Sequence, residues 1–334
     1  EMKKQARRLF NVYSGEERKA SLFAFLGFIL SLAVSSTWKL ADVLFLINVG
    51  ADQLPKAYAC VALLLICMAL ILINAYNRYT PTAIFKTLVI CGITFFGTMA
   101  TVLWLGLEKD QGWFWFFLKV LSQLFFIQSI SSYWTRLDQY FHFQDAKRLF
   151  TLFNCSIYIG TGIGGLIIQS GILSIHSFFT LVFSLWCFVF YINNKISSIS
   201  PLEADLFHEP AAQEETSFAT VARLILNSPF TMLLMLSNLT LYLLTTTTEY
   251  NYLSMFQKHF EQQAILTQDQ SNNQLTHFLG TCIASVGLGN LIIGWFLYSR
   301  LIARFGVTPL IFVSPIAYFT TYLGWPLDSG LLFG

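Results

Sequence analysis

The sequence predicts an all-α membrane protein with about nine transmembrane helices, and three observations carry that prediction. First, the 334 residues are 55% hydrophobic and only 11% charged, with a mean hydropathy of +0.59. A soluble domain is about 25% charged, and no soluble core could bury this much apolar surface. Second, the apolar residues gather into nine stretches, each meeting the ~20-residue length that crosses a bilayer as a helix. Third, the basic residues are sorted to one side of those stretches. With the N-terminus and the even-numbered connections placed in the cytoplasm, fifteen of the 20 Lys and Arg fall there. Three (Lys56, Lys109, Lys258) fall outside and two (Lys39, Lys119) within the membrane. That is a strong positive-inside bias.

Taken in order, the helices are expected at 20–48, 54–76, 82–106, 112–135, 148–169, 172–193, 229–253, 274–298 and 308–327. Trp104, Trp113 and Trp115 cluster at the outer ends of the third and fourth, where an aromatic belt belongs. The basic start runs into a first segment far too long for a cleavable signal peptide, and Glu1 in place of Met suggests a trimmed N-terminus. Residues 194–216 differ in kind: they are polar and acidic, with Pro201 and Pro210. Phe218, Val221, Leu224 and Ile225 then recur at helical spacing, which predicts a short amphipathic helix on the inner surface. The domain reading is a six-helix half over 1–193, a cytoplasmic linker over 194–228, and a second half over 229–334.

A weak repeat supports two halves. The connection 2–3, Arg78-Tyr-Thr-Pro-Thr-Ala-Ile-Phe85, corresponds to Arg304-Phe-Gly-Val-Thr-Pro-Leu-Ile-Phe312 in the connection 8–9. Two six-helix halves make twelve, so three further helices are expected beyond the nine.

Four charges lie inside the apolar segments: Lys39 and Asp42 on the first, Lys119 on the fourth and Glu249 on the seventh. A charge near the bilayer centre costs at least about 2.5–3.5 kcal/mol on insertion scales, so it usually marks a substrate or ion path. In transporters built from two six-helix halves, helices 1, 4, 7 and 10 line the central cavity. Lys39 and Asp42 are three apart, on one helix face and able to pair. Counting about 1.5 Å per residue, all four charges sit at a similar depth in the outer half of the bilayer. They read either as a substrate-binding layer or as a salt-bridge cluster that closes the outer side. The polar residues Ser35, Ser36, Thr37, Gln123, Gln128, Asn154, Asn238, Thr245–Thr248 and Asn290 surround them along the chain. Polar side chains in spanning helices usually bond neighbouring helices. The run Thr245 to Thr248 beside Glu249 is dense enough to line a cavity, and the candidate binding set includes Thr245, Thr248, Gln123 and Asn154.

The connection 4–5 alternates signs at a cytoplasmic boundary. Arg136, Asp138, Asp145, Lys147 and Arg148 there, with Arg300 and Arg304 later, form a candidate gating latch built from ion pairs. Gly160, Gly162, Gly164 and Gly165 lie inside a helix with no strand before them, which excludes a dinucleotide loop. Their small-xxx-small spacing predicts close helix packing instead. The six cysteines lie in apolar segments without a CxxC pair, so neither a disulfide nor a metal site is expected. No cofactor is expected. No soluble catalytic constellation exists, an enzyme is not expected, and the net charge of +2 gives no sign of nucleic-acid binding.

Phe141 through Asp145-Ala-Lys-Arg-Leu-Phe150 to Gly160-Thr-Gly-Ile-Gly-Gly165 resembles the ATP:ADP antiporter family, the nucleotide transporters of intracellular bacteria and plastids. Lys39-Leu-Ala-Asp42-Val-Leu-Phe-Leu46 followed by Gly50-Ala-Asp-Gln-Leu-Pro55 is similar to that family's first helix and turn. Thr248-Glu249-Tyr250 looks like the acidic-Tyr pattern of its seventh helix, and Ser299-Arg300 to Arg304-Phe-Gly306 is similar to its connection 8–9. The family usually has a base directly before the helix-1 acid; here Ala41 stands there and the base is Lys39.

The resemblance implies a major-facilitator-like bundle that exchanges ATP and ADP by alternating access, with Lys39 and Lys119 holding phosphates and Asp42 and Glu249 pairing with them in the empty site. A monomer in a bacterial inner membrane is expected, and the distribution of Lys and Arg places the N-terminus and the central linker in the cytoplasm. A proton-coupled transporter of another metabolite and a non-transporting membrane scaffold are the alternatives.

Overall fold

Helix follows helix along the chain because long apolar runs must satisfy their own backbone in lipid, and short turn signals separate them. The computed structural model describes residues 16–107, 112–141, 143–199, 226–261 and 268–297, with the isolated positions 223, 304, 313, 316, 317, 319 and 320. The helices are α1 (Glu17–Asn48), α2 (Leu54–Tyr76), α3 (Pro81–Trp104), α4 (Gly112–Asp138), α5 (Phe143–Ser170), α6 (Ile175–Ile199), α7 (Pro229–Glu261) and α8 (Gln268–Ile292). A π-helical turn, Ile293–Leu297, continues α8. Among the described residues these eight helices are long and apolar enough to cross a membrane. The molecule is thus a bundle of apolar helices suited to multiple membrane crossings. Most of the predicted ninth helix at 308–327, of the linker and of the amphipathic segment lies outside the described residues. So does the second copy of the repeat, apart from Arg304.

Local chemistry sets the boundaries. The N–H groups of Val49 and Gly50 both donate to the Phe45 carbonyl and close α1. Gly50, at φ 92°, then turns the chain into the 3-10 turn Ala51–Gln53, a conformation glycine adopts without a Cβ penalty. Thr80 caps α3 by accepting from the Ala83 N–H at 3.3 Å, and Pro81 fills a first-turn position that needs no donor. Several helices run beyond the apolar segments that predict them: α5 starts at Phe143, α7 ends at Glu261 and α8 starts at Gln268. No Pro or Gly interrupts these polar extensions, so the helix continues past the apolar span.

Packing centres on α1 and α5. Most of α1 is buried from Ala20 to Leu46. The glycines of α5 serve two neighbours. A Cβ at Gly160 would meet the Phe28 carbonyl oxygen at 2.5 Å, and one at Gly164 would meet Ser36 Cβ at 2.9 Å, both on α1. Gly165 faces the backbone of Ala284 on α8. From the α8 side, a Cβ at Gly280 would meet the Gln169 backbone nitrogen at 2.5 Å, and one at Gly287 the Gly162 nitrogen at 2.6 Å. The small residues therefore bring α5 against α1 on one side and α8 on the other, as their spacing predicts.

Two apolar clusters result. One fills the space among α1 and α3 to α6, with Phe23, Phe96, Tyr133, Phe153 and Trp186. The other packs the C-terminal end of α1 with α2, α4, α7 and α8 through Phe45, Leu54, Val61, Leu253, Phe256 and Leu279. Much of α7 is exposed and apolar, Phe230 to Leu243 included, a surface suited to lipid. Trp104 and Trp113 are exposed at the end predicted to be the outer interface, whereas Trp115 is buried in the first cluster.

Candidate functional site

Lys39, Asp42, Lys119 and Glu249 meet in one hydrogen-bonded cluster. Helical spacing puts Lys39 and Asp42 on the same face of α1, and Lys39 Nζ donates to Asp42 Oδ2 at 3.1 Å. The same ammonium donates to Glu249 Oε1 on α7 at 2.9 Å. Lys119 of α4 donates to the other carboxylate oxygen of Asp42. Each charge is therefore paired, and the cluster is neutral, as low-dielectric surroundings demand. Lys119 is completely buried, while the Lys39 side chain is 18% exposed. Lys39 Nζ also lies 3.6 Å from the centroid of the Trp38 ring, where the ring's quadrupole attracts a cation.

The cluster sits at one end of a cavity of about 630 Å³ lined by α1, α4, α5, α7 and α8. Lys39 and Asp42 line it, whereas Lys119 and Glu249 lie behind the wall. Beyond the charges, on the side of the C-terminal end of α1, the second apolar cluster packs. In the other direction the cavity extends toward Trp134 near the end of α4, Asn154 early in α5 and Asn290 late in α8. The lining is mostly aromatic and aliphatic. Trp38 and Phe126 stack with centroids 4.4 Å apart and an interplanar angle of 27°. Trp134, Tyr158, Tyr252 and Phe256 continue the aromatic wall.

The other predicted binding residues divide. Asn154 and Asn290 line the cavity. Gln123 is buried and does not line it, and its Oε1 has no hydrogen-bond partner among the described residues. Thr245 and Thr248 donate to the carbonyls of Leu241 and Leu244, each at 2.8 Å, and neither lines the cavity. A helix in an apolar setting satisfies such hydroxyls with its own preceding turn, so a dense threonine run need not mark a cavity. Ser35 lines the cavity, yet its hydroxyl is shared with Thr161 at 3.1 Å; Ser31 also bonds Thr161, at 2.9 Å, and donates to the Ile157 carbonyl. This hydroxyl seam joins α1 to α5. Ser36 and Thr37 donate back to the carbonyls of Leu32 and Ala33, Gln128 bonds Ser132, and Asn238 donates to the Leu234 carbonyl.

Of the latch residues, Arg136 is fully buried and engages no carboxylate among the described residues. Its Nη2 donates to Ser197 Oγ at 3.1 Å and to the Asn193 carbonyl at 3.4 Å, and its guanidinium lies 5.2 Å from the Phe85 ring centroid. It thus ties α4 to α3 and α6. Asp138 is exposed and Arg304 lies at an exposed helical position. The side chains of Asp145, Lys147 and Arg148, and all of Arg300, fall outside the described residues. The six cysteines are free, and no group of His, Cys, Asp or Glu able to hold a metal occurs among the described residues.

Sequence reasoning passed over the aromatic wall. Its signal was present in the spacing: Ser35, Trp38, Lys39 and Asp42 fall at i, i+3, i+4 and i+7, Phe126, Ile130 and Trp134 at steps of four, and Tyr252 and Phe256 three and seven after Glu249. Extending the helix faces that carry the charges would have named these rings. Comparison with family models, characterised proteins and solved structures returns no match, so the functional reading rests on this geometry and on the motifs of the chain.

Proposed function

We propose that the chain is a multi-pass membrane transporter that exchanges nucleotides of the ATP/ADP type by alternating access, in a major-facilitator-like arrangement. One observation carries this reading: the ion pair between Lys39 of α1 and Glu249 of α7 joins the first group of helices to the second at the end of a large inter-helix cavity. Without substrate this bridge holds the charged end shut. An anionic substrate entering the cavity competes with Glu249 for Lys39, and its differential affinity for the two states supplies the free energy for rocking one group of helices against the other. Lys119 stays with Asp42. The orientation from Lys and Arg opens the cavity to the cytoplasmic side of a bacterial inner membrane, and a single chain suffices for the pathway.

Uptake of labelled ATP into cells expressing the protein, with ADP inside, tests the reading. Uptake that depends on internal ADP and is lost in Lys39→Ala is the expected result; unchanged uptake in that variant sinks it.

A proton-coupled transporter is the second reading, favoured by the sharing of one ammonium between two carboxylates. Protonation of Glu249 frees α7 while Lys39 keeps Asp42 as its partner. Uptake that follows a pH gradient and needs no counter-substrate selects this alternative.

A further inference from the structure

The wall of the cavity offers a ligand much aromatic surface and very little positive charge. Among the described residues that line it, Lys39 is the single Lys or Arg; Lys119, completely buried, is committed to Asp42 behind the wall. Every phosphate oxygen taken out of water needs a donor or a cation, so a polyphosphate chain would leave most of its charge uncompensated here. One anionic group can be served. An ammonium carries three N–H donors; Asp42 and Glu249 occupy two of those of Lys39, and the Tyr252 hydroxyl faces the same ammonium, so an incoming anion must displace one of these partners. The Trp38 ring lies against the ammonium, with its Nε1 buried and without a hydrogen-bond partner among the described residues. Asn154 and Asn290 supply amides farther along the cavity. The stacked pair Trp38 and Phe126 and the rings of Trp134, Tyr158, Tyr252 and Phe256 complete a lining suited to a planar aromatic body.

We propose that the site selects a ligand with one anionic group on a planar aromatic body, and that for nucleotides it reads a single phosphate and the base rather than the polyphosphate chain. The anion binds Lys39 in competition with Glu249, and the ring lies along the aromatic wall. This rests on the reading of the cavity as the transport site.

Binding of AMP, ATP, adenosine, tripolyphosphate and 2-naphthoate to the purified full chain in nanodiscs, by isothermal titration, tests it. Expected are affinities for AMP and ATP within about threefold of one another, with adenosine and tripolyphosphate each weaker by about tenfold or more, the loss expected for one charged hydrogen bond or for the stacking surface. Lys39→Ala should abolish the advantage of AMP over adenosine. Phe126→Leu, which leaves the ion pairs untouched, should weaken AMP and 2-naphthoate together and keeps the test open should Lys39→Ala not fold. ATP binding more than about tenfold tighter than AMP overturns the proposal, since each such factor reports about 1.4 kcal/mol from phosphates for which the described lining residues offer no cation besides Lys39. Binding of 2-naphthoate without any nucleotide upholds the single-anion site and removes the nucleotide reading. Binding of none of the five overturns the proposal.

Discussion

Lys39 and Lys119 carry the same charge and share Asp42, yet their surroundings assign them different work. Lys39 reaches the cavity and has two carboxylates, so a ligand can compete for it. Lys119 is completely buried with Asp42 as its partner, so its loss leaves a buried carboxylate with less compensation. On the transport function proposed above, Lys39→Ala should therefore abolish substrate uptake while the folded chain persists, and transport assays beside size-exclusion profiles check both halves of that statement. Lys119→Ala should instead destabilise the fold by about 3 kcal/mol, the order found when a buried pair loses one member, visible as a lower thermal transition in detergent. Equal effects of the two substitutions on stability would contradict the division. The sequence places all four charges on helices 1, 4 and 7, but which lysine faces the cavity depends on the rotation of α1 and α4 in the bundle.

At the level of elements, α5 is the helix on which the packing turns. Its Gly160 and Gly165 press against α1 and α8 so closely that a Cβ would strike backbone, which cannot yield as a flexible side chain can. Gly165→Leu or Gly280→Val should separate α5 from α8 and cost about 1–3 kcal/mol or more, the range for overpacking a tight interface. Gly289→Ala is the contrast: nothing lies within 4 Å of a Cβ there, and removing a helical glycine should be neutral or slightly stabilising. Thermal denaturation of the three variants in one detergent compares them. The repeated small residues are legible in the sequence as a close-packing signal. Their division into a face for α1 and a face for α8 is not, because a spacing of four residues names a face without naming its partner.

For the whole molecule, the bridge from Lys39 to Glu249 ties α1 to α7 across the end of the cavity. Under the alternating access proposed above, removing it should shift the population toward a state open at that end. Cys282 lines the cavity and gives a reporter. In a variant whose other five cysteines are replaced by Ser, Glu249→Gln should raise the rate at which an impermeant maleimide labels Cys282 from outside intact cells, by about tenfold for a shift of about 1.4 kcal/mol. An unchanged rate would show that the ion pair does not hold that end closed.

Composition, span length and the sorting of Lys and Arg determined that this chain is built of apolar helices suited to a membrane, because lipid forces the backbone to satisfy itself within each segment. The sequence alone also exposed the four charges, since ionised groups are rare and costly in such segments. Only the tertiary structure decided that the charges form one neutral cluster, that Lys39 alone of the two lysines opens on the cavity, and that the remaining wall is mostly aromatic and aliphatic. Those properties depend on the rotation and approach of helices far apart in the chain, which the periodicity of any one helix leaves free.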